Sequence, residues 1–263
     1  MKLTLKTNSF RKNILLYRKL RYRKGHGVHS PFVYNLISKV INERGRFYCQ
    51  DEIESTREKV LSFKQIIRLR KKENPEEFRN VTVGKVVKKA AISPRAGALL
   101  LRLTNYFKPK TILQIGGTTD ISMLYLSSYA TGLKCVVVEK SPEMASAARL
   151  VLETHNHTGI DLRTGDYKEV LPNVLAELPQ PDFVFLNPVK DMKENEYAFN
   201  QCLRRLHNES VLVVRGIKAS RDMRMFWKAV REREEVTVTI DLYSMGIIFF
   251  NKKLYKRNYI VSF

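Results

Sequence analysis

Residues 111–139 constrain the fold of this chain more than any other stretch. Thr111-Ile112-Leu113-Gln114-Ile115 is an apolar run of strand length, and Gly116-Gly117-Thr118-Thr119-Asp120 ends it in a glycine turn. A helical segment follows, and then a second apolar run that closes on Glu139. Strand, glycine turn, helix, strand and acid, in that order, build a nucleotide-binding crevice. Glycine lets backbone approach a ligand closely. A carboxylate 23 residues beyond Gly116 suits a pair of ribose hydroxyls.

The alternation continues to about Glu235. Strand candidates are 111–116, 134–139, 160–164, 182–187 and 210–215. Helices of roughly 10–15 residues separate them, the spacing of βαβ units in a parallel sheet. The end changes character. Residues 236–243, then Ser244-Met245-Gly246, then 247–250 read as an antiparallel hairpin, and 259–263 as an edge strand.

Upstream, Phe10, Ile14, Tyr17 and Arg21 recur at helical spacing, and Gly25-His26-Gly27 breaks the pattern. Ser30-Pro31 and Ser93-Pro94 each read as an N-cap followed by proline at the first helical position. A further basic helix is expected over about 51–72, with 73–80 as a linker. The expected organisation is a basic helical extension or cap over 1–82 and an α/β domain over 83–263.

Charge divides the chain in the same place. Residues 1–110 hold 27 Lys and Arg against 8 Asp and Glu, whereas 111–263 hold 20 against 18. RNA or another polyanion is the partner such a basic half suggests, with a solvated surface as the alternative. Cys49, Cys135 and Cys202 lie far apart without metal-ligand spacing, which suits a reducing, cytoplasmic setting. No segment has transmembrane length.

A parallel sheet closed by a C-terminal hairpin resembles the class I S-adenosylmethionine-dependent methyltransferases, in particular the catechol-type O-methyltransferase branch. Gln114-Ile115-Gly116-Gly117-Thr118-Thr119-Asp120 resembles the first motif of that family. Glu139, with Lys140 beside it, resembles the acid that holds the cofactor ribose. Thr164-Gly165-Asp166-Tyr167 resembles the adenine-contacting segment, and the strand ending at Asn187 resembles the one beside the transferred methyl group. The hairpin around Gly246 and the helix opening at Ser93 match as well, so the resemblance spans about 90–250. Gly25-His26-Gly27-Val28-His29-Ser30-Pro31-Phe32 is similar to an N-terminal signature of uncharacterised bacterial methyltransferase-like proteins. The resemblance implies S-adenosyl-L-methionine as cofactor. It implies cofactor contacts at Gln114, Gly116, Gly117, Thr118, Asp120, Glu139, Lys140, Gly165, Asp166, Tyr167 and Asn187.

The sequence also departs from that family. Asp120 aligns with a glycine and Gln114 with an acid. Asp120 reads either as a charge at the methionine end of the cofactor or as the N-cap of a helix beginning at Ile121. The branch's metal site needs several carboxylate or amide oxygens, whereas this chain offers Asn187 and Arg215-Gly216. Mg²⁺ demands more oxygen ligands than that, so no metal is expected. Arg215 reads either as an anchor for an anionic substrate group or as a cation that faces solvent or pairs with a nearby acid such as Asp222. Asn187-Pro188 is half of an amino-methylation motif. His29 is the candidate general base, if its segment reaches the crevice. Trp227 and Met223 read as core, and His155 and His157 as cations at a helix end. The expected function is metal-independent methyl transfer to a small-molecule hydroxyl. The alternatives are an RNA-directed methyltransferase and a degenerate cofactor- or anion-binding homologue.

Overall fold

The computed structural model describes residues 13–18, 20–22, 28–70, 76–178, 180–189 and 191–263. The Gly25–Gly27 break, with His26, and residues 73–75 at the start of the expected 73–80 linker lie outside these residues.

Helix α1 (Pro31–Leu36) opens as expected, with the Ser30 hydroxyl accepting from the Val33 amide. It continues as a π-helical turn over Ile37–Ile41. Helix α2 (Tyr48–Leu61) is shorter than expected. The chain then forms an antiparallel ribbon, β1 (Ile66–Arg70) with β2 (Phe78–Thr82). The expected helix over 51–72 is corrected here, so the first 82 residues are not helical throughout. Alternation explains the ribbon: Ile67 and Leu69 are buried while Ile66, Arg68 and Arg70 face out, a period of two rather than 3.6.

Helix α3 (Val83–Ala90) and helix α4 (Pro94–Phe107) lead into the sheet. Ser93 caps α4 by accepting from the Ala96 amide, a contact worth about 1 kcal/mol. The main elements then alternate: β3 (Thr111–Ile115), α5 (Ser122–Ser127), β4 (Lys134–Glu139), α6 (Pro142–Thr154), β5 (Ile160–Thr164), α7 (Tyr167–Glu177), β6 (Phe183–Leu186), α8 (Met192–Leu203), β7 (Val211–Arg215) and α9 (Arg221–Glu232). Strands β8 (Val238–Asp241), β9 (Met245–Phe249) and β10 (Arg257–Ile260) complete it.

The strand order is β10-β8-β9-β7-β6-β3-β4-β5. Strands β3 to β7 are mutually parallel, β9 is antiparallel to both β7 and β8, and β10 adds in parallel to β8. This is the mostly parallel sheet with a C-terminal antiparallel pair that the sequence leads one to expect. Both faces are covered, which is why the central strands are almost wholly apolar. Phe183 and Phe185 join the core under α1, α4 and α6, while Val184 and Leu186 join the core under α7, α8 and α9. Trp227 is fully buried, as expected, and packs so closely on Gly246 that a Cβ there would stand 2.3 Å from its ring.

The N-terminal segment is tied to the same body. Arg18 is buried and donates to Asp241 Oδ1 at 2.9 Å and to the Val261 carbonyl at 3.1 Å. Among the described residues, no helix is long and apolar enough to cross a membrane.

Candidate active site

The chain runs β3, β4, β5 outward, then returns to place β6 on the other side of β3. The ends of β3 and β6 therefore flank the topological switch point, where open α/β sheets bind ligands. Gly116 and Gly117 follow β3 with φ of 72° and 67°, and Asn187 follows β6. Left-handed backbone favours glycine at both turn positions.

Glu139, at the end of β4, is buried and turned toward this turn. Its Oε2 accepts from the Thr118 hydroxyl at 2.8 Å, and its Oε1 accepts from the Ser141 amide at 3.0 Å. Gln114 is fully buried under the turn, donating to the Gly116 carbonyl and accepting from Ser122 Oγ. On the far wall, Gly165 has φ of 152°, and Asp166 caps α7 by accepting from the Lys168 amide at 2.9 Å. That bond and Lys140 Nζ, 3.2 Å away, hold the Asp166 carboxyl below its ordinary range. Lys140 also pairs with Glu194. That pair is the main reason its ammonium titrates higher than usual.

Among the described residues, two buried hydroxyls in this wall, Thr164 Oγ1 and Tyr167 OH, have no hydrogen-bond partner. Burial raises the Tyr167 phenol. Its oxygen lies over the turn, 2.8 Å from where a Cβ on Gly116 would stand. Buried polar groups are rarely left unsatisfied, so these hydroxyls mark a wall suited to a polar ligand.

Asp120 is the hub of the opposite end. It is fully buried, yet accepts from the Ser122 amide at 2.8 Å and from Arg215 Nη1 at 2.7 Å, and it also bonds Ser122 Oγ and Asn187 Nδ2. Burial pushes its carboxyl up to about 6, against the pull of Arg215 and Ser122. Helix α5 starts at Ser122, so Asp120 does bond the first helical amide, but it also does far more than a cap. Between them Ile121 sits at φ 69° with its side chain in the core. A β-branched residue there is strained by about 1–3 kcal/mol, a departure that clusters at functional sites. Arg215 pairs with Asp120 rather than Asp222, and its Nη2 donates to the Ala90 and Ala91 carbonyls at 3.0 and 3.4 Å. Asn187 lies across Gly117, with its Nδ2 1.7 Å from where a Cβ there would stand.

The structure thus brings Gln114, Gly116, Gly117, Thr118, Asp120, Glu139, Lys140, Gly165, Asp166, Tyr167, Asn187 and Arg215 to one edge of the sheet. It does not bring His29 there. His29 is exposed, three residues before Phe32, whose ring packs edge-on at 5.0 Å against Phe249. Phe249 pairs with Val211, at the opposite end of β7 from Arg215. His155 and His157 do stand at the end of α6, where burial lowers both below the ordinary imidazole value and they hydrogen-bond Thr56 and Ser127. One support escaped sequence reasoning altogether: Asn195 clamps the loop after β6, bonding both the amide and carbonyl of Val189 at 2.8 Å. Two surface hollows of about 460 and 350 Å³ lie beside the C-terminal end of α6; His157 lines the smaller, and neither contains a residue of the crevice.

A family model described as O-methyltransferase matches residues 67–256. The chain belongs to the O-methyltransferase family. Solved structures agree on the fold. A cofactor-bound Rv0187 from MTB is 16% identical, with a TM-score of 0.56 over 84% of this chain and 97% of that one. The SAH-bound methyltransferase PaMTH1 of Podospora anserina is 14% identical, with a TM-score of 0.57 over 84% and 96%. An O-methyltransferase from Bacillus cereus in complex with SAH is 16% identical, with a TM-score of 0.52 over 83% and 97%. No curated protein matches the chain in sequence. S-adenosylmethionine-dependent methyl transfer is the chemistry of this enzyme class.

Proposed function

We propose that the chain transfers a methyl group from S-adenosylmethionine to a hydroxyl of a small molecule, without a metal. The observation that carries this reading is Glu139, buried at the end of β4 and hydrogen-bonded to Thr118 of the glycine turn. An acid so placed accepts from a ribose diol.

The remaining wall fits an adenosyl group. Asp166 and Tyr167 border the base, and the unsatisfied Thr164 and Tyr167 hydroxyls offer polar contacts there. A ligand that reaches the Gly116 and Gly117 backbone must turn Asn187 and Tyr167 aside, since both cover the turn. The bound cofactor supplies an activated methyl carbon. The protein's part is to align an acceptor oxygen with it and exclude water.

Metal independence rests on the donor set beyond β6 and β7. The cation facing Asp120 is the Arg215 guanidinium, and Asn187 is an amide already bonded to Asp120. That set does not fit Mg²⁺, which needs several free oxygens. Arg215 keeps 29% of its side chain exposed and orients an acceptor through an anionic oxygen.

The test is a transfer assay with methyl-labelled S-adenosylmethionine and a panel of small phenols and aliphatic alcohols, with and without EDTA. Label in a hydroxyl product, unaffected by EDTA, supports the proposal. Label only in amine products, or only with added Mg²⁺, overturns it.

A further inference from the structure

The β1–β2 ribbon lies outside the crevice and has a face that the methyltransferase reading does not use. Its register sets Arg70 opposite Phe78 and Arg68 opposite Asn80. Both guanidiniums rest on one ring: Arg68 Cζ is 4.9 Å and Arg70 Cζ 5.5 Å from the Phe78 centroid. All three side chains are exposed. Lys64 extends this charge just before β1, and Lys85, Lys88 and Lys89 continue it on the exposed side of α3. Among the described residues, none of these six cations has an ion-pair partner. Helix α3 then ends at the crevice, where the Ala90 carbonyl accepts from Arg215.

We propose that this ribbon and the lysine side of α3 form a docking surface for single-stranded nucleic acid. Unpaired cations neutralise phosphates and release their counterions. An aromatic ring layered with guanidiniums offers flat faces on which unpaired bases stack. An anionic membrane fits less well, because it needs an apolar face projecting from the charged layer, and here guanidiniums overlie the Phe78 ring and leave Ile66 as the large apolar side chain exposed beside them on β1. The ribbon lies outside the crevice and none of these cations is a crevice residue, so the inference stands whether or not the small-molecule reading does.

Fluorescence anisotropy of the full chain with labelled single-stranded RNA and DNA of roughly 20 nucleotides tests it, a length that exceeds common single-strand site sizes. The wild type binds at low salt and weakens as salt rises. The R68E/R70E double variant binds about tenfold or more weakly, and Phe78→Leu loses affinity by a few-fold, as expected when phosphate contacts and stacking are removed separately. The control K252E/K253E changes net charge equally at an exposed site elsewhere and retains wild-type affinity. Thermal melts confirm that each variant folds. Tighter binding of RNA or of DNA supports the surface and identifies the preferred sugar. Absence of binding by the wild type overturns the proposal. So does undiminished binding by R68E/R70E, or an equal loss in the control. Binding to vesicles of anionic phospholipid without binding to either oligonucleotide also overturns it.

Discussion

Arg215 Nη1 stands 2.7 Å from Asp120 Oδ2, joining the end of β7 to the glycine turn after β3. Ninety-five residues separate the two in sequence. The pair sits where the sheet's ligand crevice begins, and its acid is completely buried.

Removing the cation alone leaves that buried acid without its counter-charge, though Ser122 and Asn187 still bond it. Arg215→Met is therefore expected to destabilise the fold by about 2–4 kcal/mol, near the lower end for buried pairs because the guanidinium is partly exposed. Asp120→Asn, which keeps a hydrogen-bonding group of the same shape, is expected to cost less. Urea melts at neutral pH check the order. Equal stability of Arg215→Met and the wild type would show that the pair contributes nothing.

The same acid makes stability depend on pH. Its folded carboxyl titrates near 6, above the ordinary value of 3.8. The folded state then holds the proton more tightly than the unfolded state. Its contribution is complete below about pH 4 and is lost as pH rises through 6, by of order 1–3 kcal/mol. Asp120→Asn should remove this component. Relative to the wild type, the variant gains stability between pH 4 and 7 in urea melts. A constant difference across that window contradicts the assignment.

His155 and His157 act in the opposite sense. Burial lowers both below 6.5, so their stabilising contribution is present above that pH and lost as pH falls through their folded values. They bond Thr56 on α2 and Ser127 on α5. The expected result is that His157→Gln reduces the loss of thermal stability between pH 7 and 5. An unchanged acid sensitivity would place its origin elsewhere.

Much of this fold was legible in the sequence because its signals are local. Apolar runs at βαβ spacing gave β3 to β7, Ser-Pro pairs gave the starts of α1 and α4, and the turn before Gly246 gave the hairpin. The ribbon was missed because residues 66–70 alternate for too short a stretch to stand out from the basic helix before them. In the crevice, glycines and Glu139 follow from spacing along one βαβ unit. The Asp120–Arg215–Asn187 network does not, since each member lies on a different strand end and only the strand order brings them together. The place of His29, away from the crevice, was not legible for the same reason. Its distance from the crevice is set by how α1 packs on β9, which no local pattern encodes.

Gly117 offers a steric test of the closed turn. Gly117→Ala places a Cβ at φ 67° and against Asn187. It should destabilise by more than the roughly 1–2 kcal/mol of left-handed backbone alone. In an Asn187→Ala background the excess should disappear. Additive losses in the double-mutant cycle would mean that Asn187 does not press on the turn.

The central claim is that Glu139 holds the sugar of an adenosyl ligand. Isothermal titration calorimetry with S-adenosylhomocysteine, on the wild type and on Glu139→Ala, tests it most directly. Loss of a charge-assisted hydrogen bond of about 1.5–3 kcal/mol predicts binding at least tenfold weaker in the variant. Absence of binding by the folded wild type, or equal affinity in the two proteins, would contradict it.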